Sequence, residues 1–444
     1  MKKFLTFVLA FALLIGCSFQ DAYAEVSEPP EIEATTAIII DAHSGEVIWE
    51  KNSEVQMAPA SMTKMMTAIL VIENLSMDTV VTVDKDTVNT GGNVIYMKNG
   101  EKFTVEQLLK AMLVTSANDC AVALAKEISG SVEKFAALMN QKAGQLGCRN
   151  TSFVNPNGLD SAKHLSTAYD IAMIAKEFMK YDVLREIVSM DTYTLPKTNK
   201  HEYRVLYSTN RLLFDKTSEV RVNGNAEHPY YKYAIGVKTG YTDKAQGCLA
   251  SAAYKNGTEI IAVVMHSSDL GRFGDSKALL EYALDNYRTE DLLKPGDAVG
   301  EIRIKGAAGG KTQCEAQYFA SCSLAVGESA DNYTTKVEWV DNVIAPVKAG
   351  TVVGTVGVYD GDKLISETPV VTSEDAEEGV FSFIYNGHVA YPGRLALIII
   401  AAVIVLFFIL IIVLRIVNRR KRKKRRQERI RQLAEERSRN NGRY

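Results

Sequence analysis

Two apolar runs bracket the chain, Phe4 to Ile15 and Leu395 to Leu414, and between them the spacing of hydrophobic positions changes several times. "TTAIIIDAHSGEVIWEKN", residues 35–52, alternates in the manner of a β-hairpin with Ser44-Gly45 at its turn. Helical periodicity then covers 61–74, 105–114, 118–129, 131–146 and 166–180. From Tyr230 the pattern returns to strands in "YYKYAIGVKTG", "GCLASAAYKNG" and "TEIIAVVMHSS", the last two joined by a Lys255-Asn256-Gly257 turn. A final helix is predicted over 275–287. Strands from both ends around central helices indicate one α+β domain whose sheet unites its termini. After "LLKPGDAVG" the pattern becomes short strands with glycine turns, which predicts a small all-β domain over 290–385, read as a spacer or docking module.

The terminal runs change the picture from a soluble enzyme to an exported, anchored one. Lys2 and Lys3 precede the first run, and Ala22-Tyr23-Ala24 is a small-x-small pattern, so residues 1–24 read as a signal peptide cleaved after Ala24. Leu14-Ile15-Gly16-Cys17 offers a competing lipoprotein processing site; cleavage after Ala24 is favoured because the chain has another anchor. That anchor is 395–414, twenty residues without a charge, which at about 1.5 Å per residue cover about 30 Å, the thickness of a bilayer core. Arg415 and an uninterrupted basic block from Arg419 to Arg426 follow, which predicts a cytoplasmic tail over 415–444 and an outward-facing remainder.

A formal net charge of −2 conceals this division. The tail carries 14 basic and 3 acidic residues, whereas 25–414 carries 35 basic and 49 acidic ones. The outer part is therefore a poor candidate for binding polyanions, and the tail suits anionic lipid headgroups. A nucleic-acid role for the basic block is set aside, because the block abuts a membrane helix that already accounts for it.

Six cysteines (17, 120, 148, 248, 314 and 322) leave five after signal removal, an odd number for an exported chain. Cys314 and Cys322, eight residues apart around "AQYFAS", are expected to pair across a turn, while Cys120, Cys148 and Cys248 read as small core residues. The six histidines show no metal-ligand spacing, so neither a metal nor a cofactor is expected.

Three short motifs carry the chemistry. Ser61 and Lys64 in "APASMTKMMTAIL" lie three apart at a helix start and share a face. Ser116-Ala117-Asn118 lies between two helical stretches, and Lys238-Thr239-Gly240 ends a strand. Each alone is weak, since a polar stripe or a helix cap explains it as well. In this order and context they form a Ser-x-x-Lys, Ser-x-Asn, Lys-Thr-Gly set. A serine hydroxyl needs a neighbour to take its proton. Lys64 can do so only when neutral, which burial and a second cation such as Lys238 would favour.

On these motifs the chain resembles the low-molecular-weight penicillin-binding proteins, the serine D-alanyl-D-alanine carboxypeptidases. "PASMTKMMTA", "MLVTSANDCAVALA", "NPNGLD" with "HLSTAYDIAMIA", and "VKTGYT" resemble that family's segments in order. The resemblance implies a penicillin-binding/serine β-lactamase-like transpeptidase fold over 30–288, with the β-rich domain and one transmembrane helix after it. It implies Ser61 as acyl-ester nucleophile, Lys64 as proton acceptor and Ser116 as third catalytic residue. Asn118, Lys238, Thr239, Gly240 and Tyr241 become the substrate-binding set, with the backbone N–H groups of Ser61 and Tyr241 as the oxyanion donors. Asn155–Gly158 and His164 are read as a loop turn and a helix-entry contact outside the site. The implied substrate is the pentapeptide stem of peptidoglycan, with β-lactams as covalent inhibitors. Tyr241 stands where the family often has histidine, and a full membrane span replaces the family's frequent amphipathic anchor. A β-lactamase would share all three motifs, and a non-catalytic β-lactam sensor or wall-binding module is the reading from another class. No added deacylating glutamate is identifiable, and the tail holds no effector domain, so carboxypeptidase is the reading adopted.

Overall fold

The computed structural model describes residues 26–387 and 391–441; the export segment expected at 1–24 lies outside them. The chain divides into two compact units. The first takes residues up to 295 together with 318–336 and 356–368; the second takes 296–317, 337–355 and the chain from 369 onward.

The first unit is built on an antiparallel sheet of β1 (Thr36–Asp41), β2 (Val47–Lys51), β3 (Ala234–Thr242), β4 (Gln246–Lys255) and β5 (Thr258–Ser267). Their spatial order is β2-β1-β5-β4-β3, with Ile38 opposite Val263, so the start and end of the domain are joined at the centre of the sheet. Both expected hairpins form. Gly45 closes β1–β2 at φ 79°, and Asn256-Gly257, both left-handed at φ 53° and 91°, make the two-residue turn between β4 and β5.

Strand alternation sorts the side chains of the sheet into two cores. Ile38, Ile40, Ile261, Val263 and Met265 face one core, and Ala37, Ile39, Ile260, Ala262 and Val264 face the other. The first face is covered by α1 (Lys64–Asn74), α2 (Val105–Val114), α3 (Asn118–Ser129), α4 (Val132–Gln145), α5 (Ala168–Phe178) and α6 (Asp182–Val188); the second by α7 (Gly271–Asn286). Sequence signals set the helix ends. Thr104 and Gln107 make a capping box on α2, Ser131 and Thr167 cap α4 and α5, and Gly130 ends α3 at φ 76°.

The helix expected from residue 61 begins differently. Ala60–Thr63 form a 3-10 turn, and the α-helix proper starts at Lys64, all of whose residues to Val71 are buried. A lysine is thereby carried into the domain interior at the first residue of a core helix. Side chains three apart nearly eclipse in a 3-10 turn, which brings positions 61 and 64 closer than an α-helix would.

Beyond residue 286 the strands are β6 (Tyr287–Leu293), β7 (Ala298–Arg303), β8 (Lys311–Ala316) and β9 (Ala320–Ala325), followed by Tyr333–Trp339, Val352–Asp360 and Lys363–Thr372. In the first unit β6 pairs with β9, placing Glu290 opposite Cys322. In the second, β8 pairs with β7 and with the end of the last strand, placing Cys314 opposite Gly300 and Thr372. The expected Cys314–Cys322 disulfide is therefore absent. The segment between them joins strands that bond to different partners instead of folding back as a hairpin, and both thiols are buried and free. Cys120 and Cys248 are buried core residues, as expected; Cys148, expected in the core as well, is half-buried and packs against it.

The second unit ends in α8, a continuous helix over Pro392–Asn441. It is the one helix among the described residues long and apolar enough to cross a membrane, and no residue of its apolar stretch is buried.

Asp275, in the second turn of α7, ties the start of the first unit to this frame. Its carboxylate accepts the backbone N–H groups of Glu33 and Ala34, each at 2.9 Å, and the Ser267 hydroxyl at 2.7 Å. Asp275→Ala orphans these donors, at about 1–3 kcal/mol for each buried group left unsatisfied. Urea unfolding of the variant is expected to show a loss of about 3 kcal/mol, and Asp275→Asn, which keeps one acceptor, about half of it.

Candidate active site

Lys64 Nζ is the centre of the site. It lies 2.7 Å from Ser61 Oγ, 2.7 Å from Asn118 Oδ1 and 2.7 Å from the carbonyl oxygen of Asn157. The Asn118 amide is oriented by its other end, since Nδ2 donates to the Gly91 carbonyl at 2.8 Å. Two of the three neighbours of Nζ are therefore obligate acceptors. A neutral amine has two N–H groups and one lone pair; the carbonyls of Asn118 and Asn157 take both N–H groups, and the lone pair is left facing the Ser61 hydroxyl.

The electrostatics favour that neutral state. Lys64 is completely buried, and desolvation, followed by the charge of Lys238, holds its pKa well below the usual lysine range. Ser61 itself is half-buried, whereas the Lys64 amine beside it is sealed from solvent.

The Ser116-Ala117-Asn118 segment joins α2 to α3. Ser116 is buried and adopts a left-handed φ of 64°, a conformation uncommon outside glycine, and Asn118 is the first residue of α3. The N–H of Asn118 donates to the Asn93 carbonyl at 2.7 Å. Asn118, expected among substrate contacts, thus uses its carbonyl on Lys64 and its amide on the 91–93 segment.

Lys238, Thr239, Gly240 and Tyr241 lie on β3, the edge strand of the sheet. Lys238 is almost wholly buried, and desolvation, with the nearby Arg272 charge second, lowers its pKa to about 7. Its Nζ donates to the Thr239 carbonyl at 3.0 Å. The β3 strand runs directly against the turn carrying Ser61. A Cβ on Gly240 would stand 3.0 Å from the Pro59 carbonyl oxygen and 3.1 Å from the Ala60 Cβ. Tyr241 is exposed, with the Arg272 guanidinium 5.9 Å from its ring centre.

Several contributors fall outside the expected set. The Asn155–Gly158 loop enters the site through the Asn157 carbonyl, and Gly158 packs so closely on the Ala60 carbonyl that a Cβ would come within 1.9 Å of its oxygen. Backbone atoms act here, and no residue-type pattern announces a carbonyl's position. His164 keeps its expected structural place. Its Nδ1 accepts from the Val154 N–H at 3.1 Å, so Nε2 carries the proton and donates to Thr63 Oγ1 at 2.8 Å, and Thr63 in turn donates to Ala60 O. Burial lowers its pKa to about 4, which keeps this chain of bonds neutral and fixed. Thr209 Oγ1 meets Thr239 Oγ1 at 2.6 Å, and Arg272 donates to the Gly240 carbonyl at 2.9 Å.

The close approach at residue 158 makes a specific expectation. Gly158 also has φ 88°, so Gly158→Ala combines backbone strain with a clash that pushes the 60–61 backbone away from Asn157. Acylation by a fluorescent penicillin is expected to slow at least roughly 100-fold, since displacements of about 1 Å cost that much in a positioned site. A variant acylated at the wild-type rate would show that the loop does not set the serine.

The D-alanyl-D-alanine carboxypeptidase family profile matches residues 23–269, and the profile of the penicillin-binding protein 5 C-terminal domain matches 287–378. The chain is 34% identical over 356 residues to the D-alanyl-D-alanine carboxypeptidase DacF of Bacillus subtilis, covering 79% of this chain and 87% of that one. It is 30% identical over 372 residues to DacC of Escherichia coli, covering 81% and 88%. Among solved structures, penicillin-binding protein 5 of Haemophilus influenzae aligns with a TM-score of 0.58 at 27% identity, over 79% of this chain and 100% of that one. With the serine, its buried lysine and both family profiles in register, the chain belongs to the D-alanyl-D-alanine carboxypeptidase family of low-molecular-weight penicillin-binding proteins.

Proposed function

We propose that this protein removes the terminal D-alanine from the pentapeptide stems of peptidoglycan through an acyl-ester on Ser61, and that β-lactams trap the same serine. The observation that carries the reading is the Lys64 amine, buried, stripped of competing roles by two carbonyls and 2.7 Å from Ser61 Oγ.

In this reading the substrate's terminal carboxylate is drawn to Lys238 and Thr239, and its backbone lies along the free edge of β3. Lys64 accepts the Ser61 proton as Oγ attacks the penultimate carbonyl, and the backbone N–H groups of Ser61 and Tyr241 hold the resulting oxyanion. Collapse expels D-alanine, whose nitrogen takes a proton from Lys64 through Ser116. Water then attacks the ester and gives up a proton to Lys64; collapse breaks the Ser61 Oγ–acyl bond, Lys64 returns the proton to Oγ, and the water oxygen leaves in the carboxylate of the shortened stem. Of the anchor, 395–414 spans the membrane, with the catalytic unit outside and the basic tail in the cytoplasm against anionic lipid.

Incubating the full-length protein in detergent with a pentapeptide ending in D-Ala-D-Ala is expected to release D-alanine. Ser61→Ala is expected to abolish both the release and covalent labelling by penicillin. Labelling without any D-alanine release by the wild type would favour a sensor over a hydrolase.

The two lysines are expected to shape opposite limbs of the pH profile. Lys64 acts only when neutral, so kcat/KM rises with pH through its lowered pKa. Lys238 attracts a carboxylate only when protonated, so capture by the free enzyme falls as pH rises through about 7. Lys238→Arg keeps the charge at all these pH values, and is expected to move the alkaline limb upward by more than one unit while leaving the acid limb in place. An alkaline limb that stays near pH 7 in the variant would remove Lys238 from this role.

A further inference from the structure

The hairpin of Thr192–Leu195 and Arg204–Tyr207 turns a stripe of tyrosine, valine and tyrosine to solvent beside the active site. Tyr203 is 65% exposed and Tyr207 66%, with exposed Val205 between them, while Leu195 and Leu206 on the opposite face are buried. Alternate strand residues share a face, so the three side chains form one line with Thr192 and Thr194 beside it. The strand leads straight into the site, because Thr209, two residues past Tyr207, bonds Thr239 at 2.6 Å.

A second exposed aromatic stands on the other approach. Tyr96 is 81% exposed between buried Ile95 and Met97, and holds a left-handed φ of 57°. A bulky residue in that region is an outlier of the kind that marks functional loops. Its segment is fixed to the site by Asn118, which bonds Gly91 and Asn93. The two approaches are also clamped to each other. Buried Glu101 accepts Arg204 at 3.0 and 3.1 Å and Thr198 at 2.6 Å, and Asn199 accepts the Lys102 N–H at 2.9 Å. The exposed rings therefore sit on a braced backbone and not on a loose loop.

We infer that this tyrosine rim binds the glycan of the wall polymer, with sugar rings lying on the rings of Tyr203, Tyr207 and Tyr96 while the attached stem reaches Ser61. The inference rests on the carboxypeptidase reading for the stem alone. Sugar rings present an apolar C–H face edged by hydroxyls, which matches a tyrosine's apolar body and polar tip. A peptide would be held by edge pairing or by charge, whereas this is the side-chain face of the hairpin and its residues are neutral. Binding energy gathered on a remote part of the substrate can be used at the reacting bond, so the rim would raise kcat/KM for sugar-bearing stems.

The test compares a bare pentapeptide ending in D-Ala-D-Ala with the same peptide linked to the wall's amino-sugar disaccharide, using the full-length protein in detergent. The wild type is expected to prefer the sugar-bearing substrate by roughly tenfold in kcat/KM, and a Tyr96→Ser/Tyr203→Ser/Tyr207→Ser variant to bring that ratio close to one. No preference in the wild type, or a preference that survives in the variant, overturns the inference while leaving the carboxypeptidase reading intact. Release of D-alanine from neither substrate would reject that reading instead. The rim is then judged by binding of the disaccharide-peptide to the Ser61→Ala chain, where loss of affinity on removing the tyrosines supports it and equal affinity overturns it.

Discussion

Everything in the catalytic unit depends on keeping one amine dry. A lysine side chain left out of water in its charged form carries a large desolvation penalty, which either neutralises it or demands a compensating charge. Among the described residues no carboxylate is bonded to Lys64 Nζ, and the Asp119 charge, which opposes the lowering, is outweighed by burial. Lys64 is given two amide-type carbonyls and a hydroxyl, which satisfy a neutral amine, and a second lysine near enough to oppose its protonation. The helix that carries it is buried along its first two turns.

That requirement explains why the site is assembled from four separate parts of the chain. The 3-10 turn supplies the serine, the start of α3 supplies Asn118, the Asn155–Gly158 loop supplies a backbone carbonyl, and β3 supplies the opposing lysine. Their approach is tight enough that glycine is needed at two contacts. Gly158 lies on the Ala60 carbonyl and Gly240 on Pro59 and Ala60, so the nucleophile's turn is gripped from both sides. Buried His164 and Thr63 complete the grip with neutral hydrogen bonds that do not change with pH near neutrality. The edge position of β3 then leaves a strand free for a substrate backbone immediately beside the serine.

Lys238 faces a different demand. It lies nearly as deep, and burial with the Arg272 charge lowers its pKa to about 7. Burial lowers the pKa of both lysines, and the Lys238 charge adds to the lowering at Lys64 while Arg272 does so at Lys238.

Local sequence rules determined much of this protein. Apolar periodicity located six helices of the first unit and all five strands of its sheet, because each element buries a face of fixed period and is bounded by cap or turn residues. The order Ser61…Lys64, Ser116…Asn118, Lys238…Gly240 pointed to the family, because its motifs are made of side chains and side chains are written in the sequence. Elements whose pattern is brief, such as α6 and the hairpin at 192–207, gave no comparable signal, and the Cys314–Cys322 expectation failed because strand partners are chosen by the sheet and not by proximity along the chain. Tertiary structure alone decided that Asn157 contributes a carbonyl, that Asn118 serves Lys64, that Thr209 meets Thr239, and that the tyrosines of 96, 203 and 207 stand on braced approaches to one site. The physical reason is the same in each case. A backbone carbonyl or an exposed ring is chemically ordinary at every position, and it acquires a role only from what distant segments place within 3 Å of it or leave uncovered beside it.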